Sequence, residues 1–191
     1  MTPDEKVKEV EAVFQKLDAE IAQFQSLTGM HCKFGCGKCC FKPDIEATAL
    51  EFLPFAVHLY REGLAEQWYE RLTTENSADT LCLILNPTQA AAGLCTEYKH
   101  RGLICRLFGY SARTNKYEKK ELVTCQVIKT EESEEYRKGV ELVDSGGQIP
   151  VMSQYYMQLH AIDADLATEF YPINVAIRKA LENVMHYYAY R

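Results

Sequence analysis

Cys32-Lys33-Phe34-Gly35-Cys36-Gly37-Lys38-Cys39-Cys40 places four of the chain's eight cysteines within nine residues. Burial explains an isolated cysteine, whose thiol behaves as a small apolar group, but not four in one run. Thiolates packed this densely hold a metal. Gly35 and Gly37 disfavour a regular helix across the run and suit a loop in which backbone N–H groups approach sulfur. The run predicts an irregular, metal-binding middle, and the regular structure must come from its flanks.

On the N-terminal side, Thr2-Pro3-Asp4-Glu5 combines a hydroxyl cap, a proline at the first helical position and a glutamate that can reach back to the cap. Val7, Val10, Phe14, Leu17, Ile21, Phe24 and Leu27 follow at steps of three and four, which predicts an amphipathic helix over 3–28 ending near Gly29. Its apolar face is expected to pack within the domain rather than form a dimer seam.

On the C-terminal side, Pro43-Asp44 is expected to open a helix through Ile45, Leu50, Leu53 and Val57 to Tyr60, kinked at Pro54 and stopped before Gly63. A second helix is expected from Leu64 to Glu75. Leu81-Cys82-Leu83-Ile84-Leu85, closed by Asn86-Pro87, reads as a buried strand or extended piece. Residues 93–127 read as loop-rich, and Thr130 to Glu135 as the solvated start of a helix. After a turn at Ser145 to Pro150, one helical segment is expected from Val151 to Leu166. Pro172 then opens a last helix through Val175, Ala176, Leu181 and Val184 to Tyr188. The fold class is mainly α: one domain over 1–191, with a cysteine-bearing region 30–127 between helices at 3–28 and 150–189 and at most short strands.

Composition narrows the function. With 191 residues and 47% hydrophobic content the chain can build its own core, so metal is not needed to rescue a mini-protein. A net charge of −6 argues against nucleic acid as a partner, because phosphate-backbone binding needs a basic surface. Met1 to Glu5 lacks the basic start of a secretory signal, and no run of eighteen apolar residues exists to span a membrane. A cytoplasmic protein is expected, in which thiols stay reduced and a disulfide framework is not the explanation.

Cys36 and Cys39 form a C-x-x-C pair able to bind one ion, and Cys32 lies close enough in sequence to join it. Cys39 and Cys40 are expected to serve two metals or a cluster, or only one of them to ligate, because adjacent side chains usually diverge. A vicinal disulfide is disfavoured by its geometry and by the compartment. The C-x3-C-x2-C spacing also resembles the motif of radical S-adenosylmethionine enzymes, yet strands are too scarce here for their partial barrel. Downstream, Cys95 and Cys105 sit beside Arg101 and Arg106. Four thiolates on a divalent ion carry a net charge of about −2, which a partly buried site must balance with cations or N–H donors. Arg101 and Arg106 are placed to supply them, as are Lys33 and Lys38, although solvation is the simpler role for each lysine. His31 and His100 lie near enough in sequence to complete a mixed site. Cys82, between Leu81 and Leu83, reads almost equally as a ligand and as a buried thiol. A Cys105 and His100 nucleophilic pair has no local feature to mark it.

Taken in order, these segments resemble the YkgJ-type cysteine-cluster family of zinc- or iron-chelating domains. Cys32-x3-Cys36-x2-Cys39-Cys40 looks like its opening motif and Cys82-Leu83-Ile84-Leu85 like its middle segment. Cys95-x2-Tyr98-x2-Arg101-x3-Cys105-Arg106-x-Phe108 looks like its closing signature, with Cys125 as a further cysteine. Gly102 stands where the family has proline after arginine, and Leu83 and Gly109 replace other prolines, changes that loosen loops without removing a sulfur. The resemblance implies that Cys32, Cys36, Cys39, Cys40, Cys82, Cys95, Cys105 and Cys125 are all ligands, to zinc or an iron-sulfur cluster, in a structural or metal-handling module with a possible protein partner. Related motifs in flagellin lysine N-methylases imply the alternative, an iron-sulfur-dependent enzyme. For that alternative, Tyr110, Arg113, Tyr155, Tyr156, Tyr187 and Tyr188 are pocket candidates, though packing explains most of them.

Overall fold

The computed structural model describes residues 1–32, 36–42, 44–74, 81–86 and 94–190. Lys33, Glu75 and the Asn86-Pro87 closure at its proline therefore lie outside the described residues, as do Gly35 and Pro43. Among the described residues helices dominate and every named strand is short.

Helix α1 (Pro3–Thr28) begins as its sequence dictates. The Thr2 N–H donates to the Glu5 carboxylate at 2.8 Å, and the Glu5 N–H donates to Thr2 Oγ1 at 3.2 Å, a reciprocal capping box. Val10, Leu17 and Phe24 are fully buried, so the apolar stripe is consumed within the chain. Leu27 departs from the expectation: it is 59% exposed. The buried stripe steps instead from Phe24 to Thr28, where the helix ends; Gly29 adopts φ +76°, and Met30 beyond it is fully buried.

The remaining helices are α2 (Leu53–Arg61), α3 (Ala65–Thr74), α4 (Leu103–Leu107), α5 (Gln126–Glu131), α6 (Ser133–Asp144), α7 (Met152–Ile162), α8 (Ala164–Ala167) and α9 (Ile173–Ala189). Among the described residues six strands pair as three antiparallel ribbons: β1 (Glu46–Thr48) with β6 (Phe170–Pro172), β2 (Leu85–Asn86) with β3 (Leu94–Cys95), and β4 (Ser111–Thr114) with β5 (Lys120–Val123).

Two compact units emerge, each made of separate stretches of chain. The first comprises Met1–Glu11, Phe34–Gly102 and Leu159–Arg191. Here α9 packs on α2 and α3, and the β1/β6 ribbon is continued by the Ile173 N–H donating to the Ile45 carbonyl at 2.9 Å. That pairing corrects the expected helix from Pro43. Glu46 to Thr48 are committed to a strand, the buried Glu51 carboxylate accepts the Thr48 N–H at 2.8 Å, and α2 starts only at Leu53. Pro54 then sits in the first turn of α2, where its missing N–H costs nothing, and it does not kink the helix.

The second unit comprises Ala12–Lys33 and Leu103–Gln158, with a core of Phe24, Met30, Ala112, Ile128, Val143 and Ile149. The β4/β5 hairpin pairs Ser111 with Val123 through to Thr114 with Lys120, and its turn is closed by Asn115, whose side-chain oxygen accepts the Tyr117 and Lys119 N–H groups. The stretch read as loop-rich is thus more regular than expected. The segment from Val151 is also two helices rather than one: Asp163 caps α8 by accepting the Leu166 N–H at 3.0 Å, which interrupts the run after Ile162.

Candidate metal centre

In the first unit the end of the cysteine run forms a short 3-10 turn, Lys38–Phe41, closed by the Cys40 N–H donating to the Gly37 carbonyl at 2.8 Å. The two neighbouring sulfurs stand close within it, Cys39 Sγ to Cys40 Sγ 3.9 Å. Two thiolates on one tetrahedral ion with bonds of ~2.3 Å stand about 3.8 Å apart. The expected divergence of adjacent side chains is absent, and the pair fits a single ion. The Cys39 thiol is lowered to about 6 by its hydrogen bond with Cys40 above all, with backbone N–H groups and the Arg101 charge assisting. A thiol so disposed is readily a thiolate, the form that binds metal.

Cys82 and Cys95 come together through the β2/β3 ribbon. Leu85 pairs with Cys95, and the Leu85 N–H donates to the Cys82 carbonyl at 2.9 Å, folding Cys82 back beside its partner. Burial pushes the Cys82 thiol up to about 11 and the neighbouring Cys95 adds to this. Burial raises Cys95 as well, against the pull of the Glu97 N–H and the Arg101 charge. Arg101 therefore acts on both Cys39 and Cys95, while its guanidinium lies 3.6 Å over the Tyr98 ring. Cys36 is half-buried three residues ahead of Cys39, and Lys38 is exposed.

The second unit carries the other three cysteines. Cys32 is exposed, Cys105 is half-buried on α4, and Cys125 caps α5, its sulfur accepting the Ile128 N–H at 3.5 Å while it packs against the core. Arg106, only 10% exposed, pairs with Asp18 at 2.5 Å and lies over the Phe14 ring. The exposed His31 uses its backbone N–H to donate to Glu132. Tyr110 is pushed up to about 12 by burial, reinforced by the charge of Cys32. Of the other pocket candidates, Arg113 pairs with Glu121 on the hairpin and Tyr155 is buried, whereas Tyr188 in the first unit bonds Asp4.

The donor set passes a chemical test for a thiophilic ion. All eight cysteines are free of disulfide bonds, two sulfurs stand at single-ion spacing, and a guanidinium acts on two of the thiols. A family model described as "Putative zinc- or iron-chelating domain", named CxxCxxCC, matches residues 31–135, more than half of the chain. The chain belongs to this family. It is a metal-binding, cysteine-rich, helical protein, although its first cysteine gap is one residue longer than the family's name spells. No curated protein and no solved structure gives a significant match. No helix among the described residues is long and apolar enough to cross a membrane.

One arrangement escaped the sequence reading. His58, Glu97 and His100 place one ligand atom each within 4.8 Å of one another in the first unit. His100 was legible as a candidate beside the cysteines, but His58 is brought to it only by the packing of α2.

Proposed function

We propose that this protein is a zinc-thiolate module in which Cys36, Cys39, Cys40 and Cys95 are the core ligands of the first unit and Cys82 adjoins them. Cys32, Cys105 and Cys125 complete the ligand set in the second. The observation that carries the reading is the 3.9 Å separation of the Cys39 and Cys40 sulfurs, which matches two bonds to one tetrahedral ion and needs no cluster to explain it. Arg101 offsets the negative charge that ligation concentrates, and Arg106 supports α4, the element bearing Cys105. A bound ion would supply cross-links between loops that have little regular structure of their own, so the role is structural or metal-handling, with metal ions as the first partners and the cytoplasm as the fitting compartment.

Elemental analysis and an absorption spectrum of the reduced full chain, purified without oxygen, test this. Colourless protein carrying zinc and no acid-labile sulfide is the expected result. Brown protein with iron and sulfide would replace it with an iron-sulfur centre and favour the enzyme related to lysine N-methylases. Neither metal, with all thiols freely titratable in folded protein, would overturn both.

A further inference from the structure

A second group of metal-binding side chains lies outside the cysteine set. His58 is in the last turn of α2, and its ring stacks on that of His100 with centroids 4.5 Å apart and planes inclined by 16°. Glu97 caps the 3-10 turn Tyr98–His100, closed by the His100 N–H donating to the Glu97 carbonyl at 2.9 Å. With three residues per turn, side chains three apart eclipse, so Glu97 and His100 are presented on the same side. Their ligand atoms and that of His58 fall within 4.8 Å of one another, and all three side chains are half-buried. Phe55, one turn before His58 and fully buried, lies 5.8 Å from His100 and edge-on to Trp68, which gives the group an apolar wall.

Two imidazoles and one carboxylate are the donors of open zinc sites and of related divalent transition ions, which keep one position for water or a small ligand. Ligands bonded at ~2.0–2.1 Å to a tetrahedral ion stand about 3.3 Å apart, so closing from 4.8 Å or less shortens each separation by at most ~1.5 Å and requires the stacked rings to rotate until both in-plane lone pairs face the ion. The nitrogen donors disfavour hard calcium-type ions, and the lack of sulfur removes the ligand that Cu(I) prefers. We propose that His58, Glu97 and His100 form a second, sulfur-free site for a zinc-class divalent ion, distinct from the thiolate centre and with one coordination position open.

Cobalt(II) is the probe, added to the reduced full chain without oxygen. Cobalt on thiolates gives an intense sulfur-to-metal charge-transfer band, whereas cobalt on nitrogen and oxygen gives only weak ligand-field bands. Equilibrium dialysis then counts the ions. Wild type is expected to hold one more ion per chain than His58→Gln or His100→Gln, with the sulfur band unchanged in both variants. Equal ion counts would overturn the proposal, and so would a sulfur band lost in step with the ion. Should His58→Gln fail to fold by circular dichroism, Glu97→Gln decides. It is expected to lose or weaken the same sulfur-free ion, and unaltered cobalt binding in that variant would overturn the site.

Discussion

Tyr188, near the end of α9, donates a 2.6 Å hydrogen bond to the carboxylate of Asp4 in the first turn of α1. The other carboxylate oxygen receives Arg61 at 2.5 Å, and the Tyr60 ring stacks on Tyr188 at 4.6 Å. One carboxylate thus joins the first, second and last helices of the first unit.

The hydrogen bond holds the Asp4 carboxyl below the usual range and pushes Tyr188 up to about 12. A tyrosine with a raised value stabilises fully below its ordinary value near 10, and this is lost as pH climbs through the folded value. A depressed aspartate stabilises above its ordinary value, and this is lost as pH falls through the lowered one. Tyr188→Phe should therefore cost about 1 kcal/mol at neutral pH, because the site is partly exposed. The deficit should vanish toward pH 12 and again in strong acid. Denaturant melts across pH measure it, and a deficit that persists at both extremes would refute the link.

Gly102 is predicted to tolerate no side chain. A Cβ there would stand 2.8 Å from Phe52 Cζ and 3.2 Å from a Glu51 carboxylate oxygen, and both residues are buried. Gly102→Ala should destabilise the protein by about 1–3 kcal/mol, the usual cost of overpacking. Thermal unfolding of the variant checks this, with an unchanged midpoint meaning that Phe52 swings aside freely. The same contact gives a physical reason for glycine after Arg101, which in the sequence looked only like a looser loop.

What could be read from the sequence was local. The capping box at Thr2 and Glu5, the stripe through Phe24 and the proline before α9 each act within a few residues, and each appears as expected. Glu46 to Thr48 failed because their strand partner is Phe170 to Pro172, a pairing no local pattern announces. Adjacent side chains diverge in a regular helix or strand, so nothing local announces the 3.9 Å approach of the Cys39 and Cys40 sulfurs, which depends on how the two side chains turn within this short segment. His58 reaches His100 only through tertiary packing, and Leu27 lies outside because the buried stripe steps four residues from Phe24 to Thr28.

Cys39 should be alkylated more readily than Cys82 and Cys95, whose thiols move the opposite way. In reduced, metal-free protein its iodoacetamide reaction should rise through a midpoint near pH 6. Cys40→Ala should move that midpoint upward more than Arg101→Gln, since the Cys40 hydrogen bond outweighs the arginine charge. Mass spectrometry of the labelled peptide gives both midpoints. The reverse order would mean that the guanidinium, and not the neighbouring sulfur, activates Cys39.

Cys36→Ser and Cys82→Ser should both lower stability, yet for different reasons. Cys36 is half-buried in a loop without regular structure, so its contribution passes through the metal, and losing it should remove bound ion together with thermal stability. Cys82 is held as a neutral thiol by burial beside Cys95, and a serine hydroxyl there costs about 1–3 kcal/mol in desolvation even when metal is retained. Metal content per chain and melting temperature, measured together, separate the two effects. Cys36→Ser should fall on both scales and Cys82→Ser mainly on the second. Equal metal loss from both substitutions would make Cys82 a direct ligand, deprotonated by the ion against the penalty of its burial.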